Sequence, residues 1–246
     1  MLLDVHRLTR RFDGFAAVEE VDLAVAPGTI HSVIGPNGAG KTTFFRVLTG
    51  ILRPTNGTVT FDGRDITGLR PHAVARRGLT QSFQITNVFP RMTVTESVQV
   101  AMLARRRRCW DFATTRHRNL ERDALGLLDQ VGLQELAGSQ TQTLSHGDQR
   151  ILEVALALAT DPQLLLLDEP TAGMSPFETD RMVQLVTGLA RDGGLTVLLS
   201  EHDMDVVFGV SDEVTVLHQG RVIAHGPPGQ VRDDQQVIDV YLGGEA

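Results

Sequence analysis

The segment "GPNGAGKTT", Gly35 to Thr43, constrains this chain more than any other. It fits G-x-x-x-x-G-K-[ST] and lies between the β-rich run "TIHSVIG" and the apolar-periodic run "KTTFFRVLTGIL". A glycine-rich turn in that strand-to-helix setting wraps closely, so backbone N–H groups and a helix N-terminus face an anion. Gly35, Asn37, Gly38, Gly40, Lys41, Thr42 and Thr43 are therefore the candidates for holding phosphate. Lys41 supplies a cation to the outer phosphates, and the Thr42 hydroxyl suits Mg²⁺. A glycine turn that merely contains Lys-Thr would not need both flanking elements.

The rest of the chain supplies a matching architecture. "LLDVHRL" and "VEEVDLAV" read as strands, and "NGTVTFDGRDI" as a strand with a hairpin turn at Asp62-Gly63. Between about Met92 and Ala159 the spacing turns helical, in "VTESVQVAMLA", "ALGLLDQVGL" and "QRILEVALALAT". Strands and helices then alternate through "QLLLLDEP", "LTVLLSEH" and "EVTVLHQGRVIAHG". Such alternation predicts an α/β fold with a parallel sheet, and the helical block reads as an insertion into it. "MSPFETD" predicts a helix start, with Ser175 as N-cap, Pro176 first and Glu178 completing a capping box. Gly193 and Gly194 are placed to end that helix.

Bulk properties narrow the setting. The 246 residues are 41% hydrophobic, enough for one large domain with a real core. A formal charge of −7 argues against broad binding to nucleic acid. The single cysteine, Cys109, excludes an internal disulfide and suits a reducing compartment. The charged N-terminus "MLLDVHRLTRRF" does not read as a secretion signal, and no apolar run is long enough to span a bilayer, so a cytoplasmic chain is expected.

Two further motifs carry chemistry. "LLLLDEP" is an apolar strand ending in Asp168, placed to hold Mg²⁺, and Glu169, placed to orient or deprotonate water. "LSHGDQR" puts Ser145, His146 and Asp148 within four residues, the letters of a hydrolase triad. Neighbours at that spacing rarely converge as a triad, and the segment lacks the G-x-S-x-G elbow.

With "LSHGDQR" before "LLLLDEP" and "SEHDM" after it, the chain resembles the nucleotide-binding subunit of an ABC transporter over essentially its whole length. "GRDITGLRPHAVARRGLTQSFQITNVFPRMTVTESVQVAML" and "DEPTAGMSP" are similar to the branched-chain amino acid importer group, and the tail also resembles urea and amide importers. The resemblance implies a P-loop NTPase (RecA-like) core with an antiparallel β subdomain, spanning 1–84 and 160–246, and an inserted helical subdomain over 85–159. It implies ATP and Mg²⁺ as ligands and ATP hydrolysis as the activity. Gln84 matches the glutamine that reaches Mg²⁺ and water, with Gln81 as a rival. His202 matches the histidine that contacts the γ-phosphate. Phe12 matches the aromatic that stacks on adenine, with Phe15 close by. "LSHGDQR" falls at the family signature, in which Ser145 and the Gly147 N–H bind the γ-phosphate held by a second subunit. His146 departs from a glycine there, Asp148 from a glutamine, and Ser175 stands where many members have aspartate.

The implied partners are a second ATP-binding subunit, identical or paralogous, two membrane permeases and an extracytoplasmic solute-binding protein. The chain would then sit peripherally on the inner membrane face. The run "RRRR", Arg105 to Arg108, is either a solvated loop or a contact for lipid headgroups or an acidic partner. Two other readings are a soluble ABC-type ATPase acting on ribosomes or DNA, and a nucleotide-binding regulator without hydrolysis. The absence of a second ATPase unit or a long coiled coil argues against the former, and intact Asp168, Glu169 and His202 against the latter.

Overall fold

The computed structural model describes residues 1–82, 90–105 and 114–242. Gln84, Arg106 to Arg108 and Cys109 lie outside the described residues.

Two sheets organise the chain. Strands β1 (Leu3–Phe12), β2 (Phe15–Val25), β4 (Asn56–Phe61) and β5 (Arg64–Asp65) form an antiparallel sheet in the order β2-β1-β4-β5. Asp62 and Gly63 turn the last hairpin with φ of 48° and 68°, the mirror-image geometry that a two-residue hairpin loop requires. The second sheet runs β10-β9-β3-β8-β7-β6. Its strands are β3 (Ile30–Ile34), β6 (Leu79–Gln81), β7 (Leu164–Asp168), β8 (Thr196–Ser200), β9 (Glu213–His218) and β10 (Arg221–Gly226). All neighbours in it are parallel except the β9-β10 hairpin.

The sheet centre is buried on both faces, as a parallel sheet with covered faces must be. Every residue of β3 and β8 is buried. In β7, Leu164 and Leu166 join the core shared with the antiparallel sheet and with α1 (Lys41–Leu48), which contributes Phe44 and Phe45. Leu165 and Leu167 point the other way, as the two-residue period of a strand dictates. That second core gathers Val94 and Val98 of α3 (Val94–Arg105), Ala124 and Leu128 of α4 (Thr114–Gln130), Ile151 of α5 (His146–Leu158) and Met182 of α6 (Pro176–Arg191). The helical block thus packs into the same core as the sheet. The short α2 (Pro71–Ala75) leads into β6. Helices α7 (Met204–Val210), α8 (Pro228–Arg232) and α9 (Gln235–Leu242) cover a third cluster around Ile34, Val214 and Val216.

Helix α6 begins with the full capping box of Ser175 and Glu178, has Pro176 at its first position, and ends before Gly193 and Gly194. Arg105, the described end of the basic run, is paired with Asp161. Among the described residues no helix is long and apolar enough to cross a membrane.

Candidate active site

Strand order gathers the motifs. β8 lies between β3 and β7, so the ends of the three strands open side by side. β3 feeds the glycine loop, β7 ends in Asp168, and β8 is followed by Glu201 and His202. Ligands of open α/β sheets bind beyond the carboxyl ends of the strands.

The loop is held tightly against its neighbours. Gly40, the residue before α1, has φ of 105°, and a Cβ there would lie 2.2 Å from the Ala17 carbonyl oxygen. Only glycine fits both constraints. No side chain caps the N-terminus of α1, so its first-turn donors have no side-chain acceptor. Lys41 is buried and donates from Nζ to the carbonyls of Gly35 at 2.6 Å and Pro36 at 3.3 Å. Burial pulls the Lys41 ammonium below the usual lysine range, while nearby Glu169 and Asp168 push it back up.

On β7, Asp168 Oδ1 accepts a 2.6 Å hydrogen bond from the Ser200 hydroxyl. Glu169 adopts the left-handed region with φ of 53°, at a cost of about 1–2 kcal/mol for a non-glycine residue. Its N–H donates to the Ser200 carbonyl at 3.0 Å, which holds it there. The turn swings the Glu169 carboxylate onto His202, with Oε1 2.5 Å from Nε2. Both side chains remain partly open to solvent, at 35% and 46%.

A cavity of about 360 Å³ joins Thr42, Asp168 and Glu169 to Gln81. Gln81 Oε1 is buried without a hydrogen-bond partner. A hydroxyl, a carboxylate and an orphaned amide oxygen around one cavity make a hard oxygen set that fits Mg²⁺. Gln81 is the rival glutamine of the sequence reading; Gln84 lies outside the described residues.

Phe12 does not border the loop cavity. Its ring carries the Arg10 guanidinium 4.4 Å from the centroid. The aromatic beside the phosphate loop is Phe15, which lines a depression of about 490 Å³ with Arg11, Glu19 and Gly38. Phe12 and Phe15 flank one tight turn at Asp13-Gly14 and their backbones pair across it, so local sequence does not separate them.

The signature segment lies apart. Ser145 caps α5, accepting from the Asp148 N–H, and neither Ser145 nor Gly147 lines the cavity that holds Asp168 and Glu169. No serine-histidine-aspartate relay exists within it, because the His146 ring reaches the Ala172 carbonyl at 3.4 Å instead.

Two supporting residues escaped the sequence reading. Ser200 ties Asp168 and Glu169 to the neighbouring strand. Glu201, only 3% exposed, accepts from both the N–H and the hydroxyl of Thr171, at 2.8 and 2.7 Å, and from the His202 N–H at 3.2 Å. An acid at the end of an otherwise apolar strand was the available signal.

A phosphate loop, an acidic strand end and a carboxylate-histidine pair on one parallel sheet define a nucleoside-triphosphate hydrolase cassette. The chain belongs to the ABC transporter family of ATP-binding proteins, whose ABC transporter family model matches residues 18–172. A second model, branched-chain amino acid ATP-binding cassette transporter, matches residues 221–246. The chain is 43% identical to the high-affinity branched-chain amino acid transport ATP-binding protein BraF of Pseudomonas aeruginosa, over 98% of both chains. It is 41% identical to the corresponding LivG protein of Escherichia coli K12, again over 98% of each. A crystal structure of an ABC transporter ATP-binding cassette in its ADP conformation superposes with a TM-score of 0.88, at 28% identity and 98% coverage of each chain. The chain is thus an ATP-binding, ABC-type ATPase.

Proposed function

We propose that this chain hydrolyses ATP to drive import of branched-chain amino acids, as the nucleotide-binding subunit of a membrane transporter. The observation that carries the catalytic reading is the Glu169–His202 pair, whose carboxylate lines the cavity together with Thr42 and Asp168. The branched-chain amino acid transport that BraF and LivG serve, together with the match of residues 221–246, supports the solute class over urea or short amides.

In this reading Gly35, Asn37, Gly38, Gly40, Thr42 and Thr43 wrap the triphosphate. Lys41 exchanges its two loop carbonyls for β- and γ-phosphate oxygens. Thr42, Asp168 and a glutamine, Gln84 by family resemblance, hold Mg²⁺, which offsets phosphate charge when bound. Phe12 or Phe15, at the turn of the first hairpin, stacks on adenine. Glu169 takes a proton from water as its oxygen forms a bond to the γ-phosphorus, and the bond to the β-phosphate oxygen breaks to leave ADP. His202 holds the Glu169 carboxylate in place and then faces the γ-phosphate.

Ser145 and Gly147 stand apart from this cavity, which supports their action on the ATP of a second subunit. The solute path then belongs to two permeases and an extracytoplasmic binding protein, with this chain peripheral on the inner membrane face.

Glu169→Gln is the direct test. It should bind Mg-ATP with near-parental affinity and turn over at a small fraction of the parental rate. Undiminished hydrolysis would remove Glu169 from its role. For the solute, ATPase activity reconstituted with the permeases should respond to binding protein loaded with leucine and stay flat with urea.

A further inference from the structure

We propose that the signature segment carries its own surrogate for the partner's γ-phosphate: the carboxylates of Asp148 and Glu178 occupy the Ser145 hydroxyl and the Gly147 N–H, and ATP-dependent closure requires their release. The proposal rests on the composite-site reading given above.

Both donors that would cap a phosphate are committed inside this chain. The Ser145 hydroxyl donates to Asp148 Oδ2 at 2.8 Å, and the Asp148 N–H returns a bond to the same hydroxyl at 3.1 Å. Arg181 of α6 donates to the other Asp148 oxygen at 3.1 Å. The Gly147 N–H donates to Glu178 Oε1 at 3.1 Å. Glu178 Oε2 meanwhile accepts from the Ser175 N–H at 2.9 Å and the Ser175 hydroxyl at 2.8 Å. The Glu178 carboxylate lies so close over α5 that a Cβ at Gly147 would come within 2.4 Å of Oε1 and 2.7 Å of Cδ. The Ser175 N–H and hydroxyl hold the Glu178 carboxyl below the usual glutamate range, and the Gly147 N–H adds to this.

The start of a helix offers one set of donors and a partial positive charge, which favours an anion. Carboxylate oxygens and γ-phosphate oxygens are the same class of ligand for those donors. The two cannot occupy them together, and two carboxylates left beside a phosphate would repel it. Each has another anchor to fall back on. Arg181 retains Asp148, and Ser175 retains Glu178. Release is thus a rotation of two side chains rather than an unfolding of either helix. A glutamine at position 148, as in the family signature, would bring no such charge.

The test uses the full chain with Glu169→Gln to halt turnover, and compares it with added Asp148→Asn or Glu178→Gln by sedimentation velocity over a range of Mg-ATP and protein concentrations. Each added substitution should lower the concentration for half-dimerisation by about tenfold, the worth of one charged hydrogen bond no longer to be displaced. Glu178→Gln should at the same time lower the thermal midpoint of the ATP-free monomer, because it weakens the cap of α6. A merely structural role would weaken fold and dimer together, so opposite signs identify the surrogate. Unchanged or weaker dimerisation in both variants, with parental dimers present and monomeric ATP binding intact, overturns the proposal. Tightening by Asp148→Asn alone confines the surrogate to Asp148. If no variant and no parent dimerises with ATP, the composite-site reading itself fails and takes this proposal with it.

Discussion

The Nε2 atom of His202 lies 2.5 Å from Glu169 Oε1, although the two residues follow different strands. The contact exists because Glu169 accepts a left-handed backbone and because β7 and β8 are direct neighbours. Removing the imidazole leaves the carboxylate free to rotate. His202→Ala should therefore keep ATP binding and lose about a hundredfold or more in hydrolysis, a typical worth for a group in this position. Single-turnover hydrolysis beside equilibrium ATP binding separates the two quantities; equal losses in both would contradict the assignment.

Glu201 accepts three hydrogen bonds while nearly fully buried, and it joins the loop after Asp168 to the loop bearing His202. Glu201→Ala strands the Thr171 donors and should destabilise the fold by about 1–3 kcal/mol. Urea unfolding measures that loss. Turnover should fall as well, with ATP affinity little changed, since Glu201 positions the catalytic pair and does not line the cavity.

Gly40→Ala places a methyl group 2.2 Å from the backbone oxygen of Ala17, in a conformation that L residues rarely adopt. Backbone must move, and the phosphate loop is the backbone available. ATP affinity should drop by about tenfold or more, by the strain argument for such positions. A titration with a fluorescent ATP analogue would reveal it, and parental affinity would show that the loop tolerates the shift.

His31 gives a pH signature. It is buried on β3, with Nε2 2.8 Å from the Thr215 hydroxyl and its ring stacked on His225 at 5.6 Å. Burial, aided by His225, lowers its pKa to about 3. The folded state thus binds fewer protons than the unfolded state as pH falls below about 6.5, so stability rises with pH across that window. On acidification, His31 should lower stability progressively between roughly pH 6 and 3.5, by on the order of 1 kcal/mol per pH unit. Urea midpoints measured against pH, for the parent and His31→Gln, should differ in slope within that range and run parallel above pH 7.

Much of this site was legible because its chemistry lies in short contiguous runs. The glycine loop, Asp168-Glu169 and His202 each follow an apolar strand, and strand ends are where a parallel sheet collects function. The capping box of α6 was legible for the same reason, since all its parts fall within four residues. Ser200 and Glu201 were not, because their partners lie thirty or more residues away and meet them only through sheet pairing. The pairing of Gly147 with Glu178 is equally non-local. Phe12 and Phe15 could not be ranked, as both border one turn; only packing shows Arg10 on the first and the loop edge beside the second.

Asp168 pairs with Ser200 in the β7-β8 register, and the three residues Ser200, Glu201 and His202 each reach a different part of the segment 168–171. Side chains alternate along a strand, so a slip of one residue would turn the Ser200–Asp168 contact to the wrong side and displace the two contacts just beyond the strand ends with it. An inserted or deleted residue within either strand is therefore an all-or-nothing change for this ATPase. The chain can drift in length through its surface connections, but between Leu164 and Asp168, and between Thr196 and His202, its spacing is as binding as its chemistry.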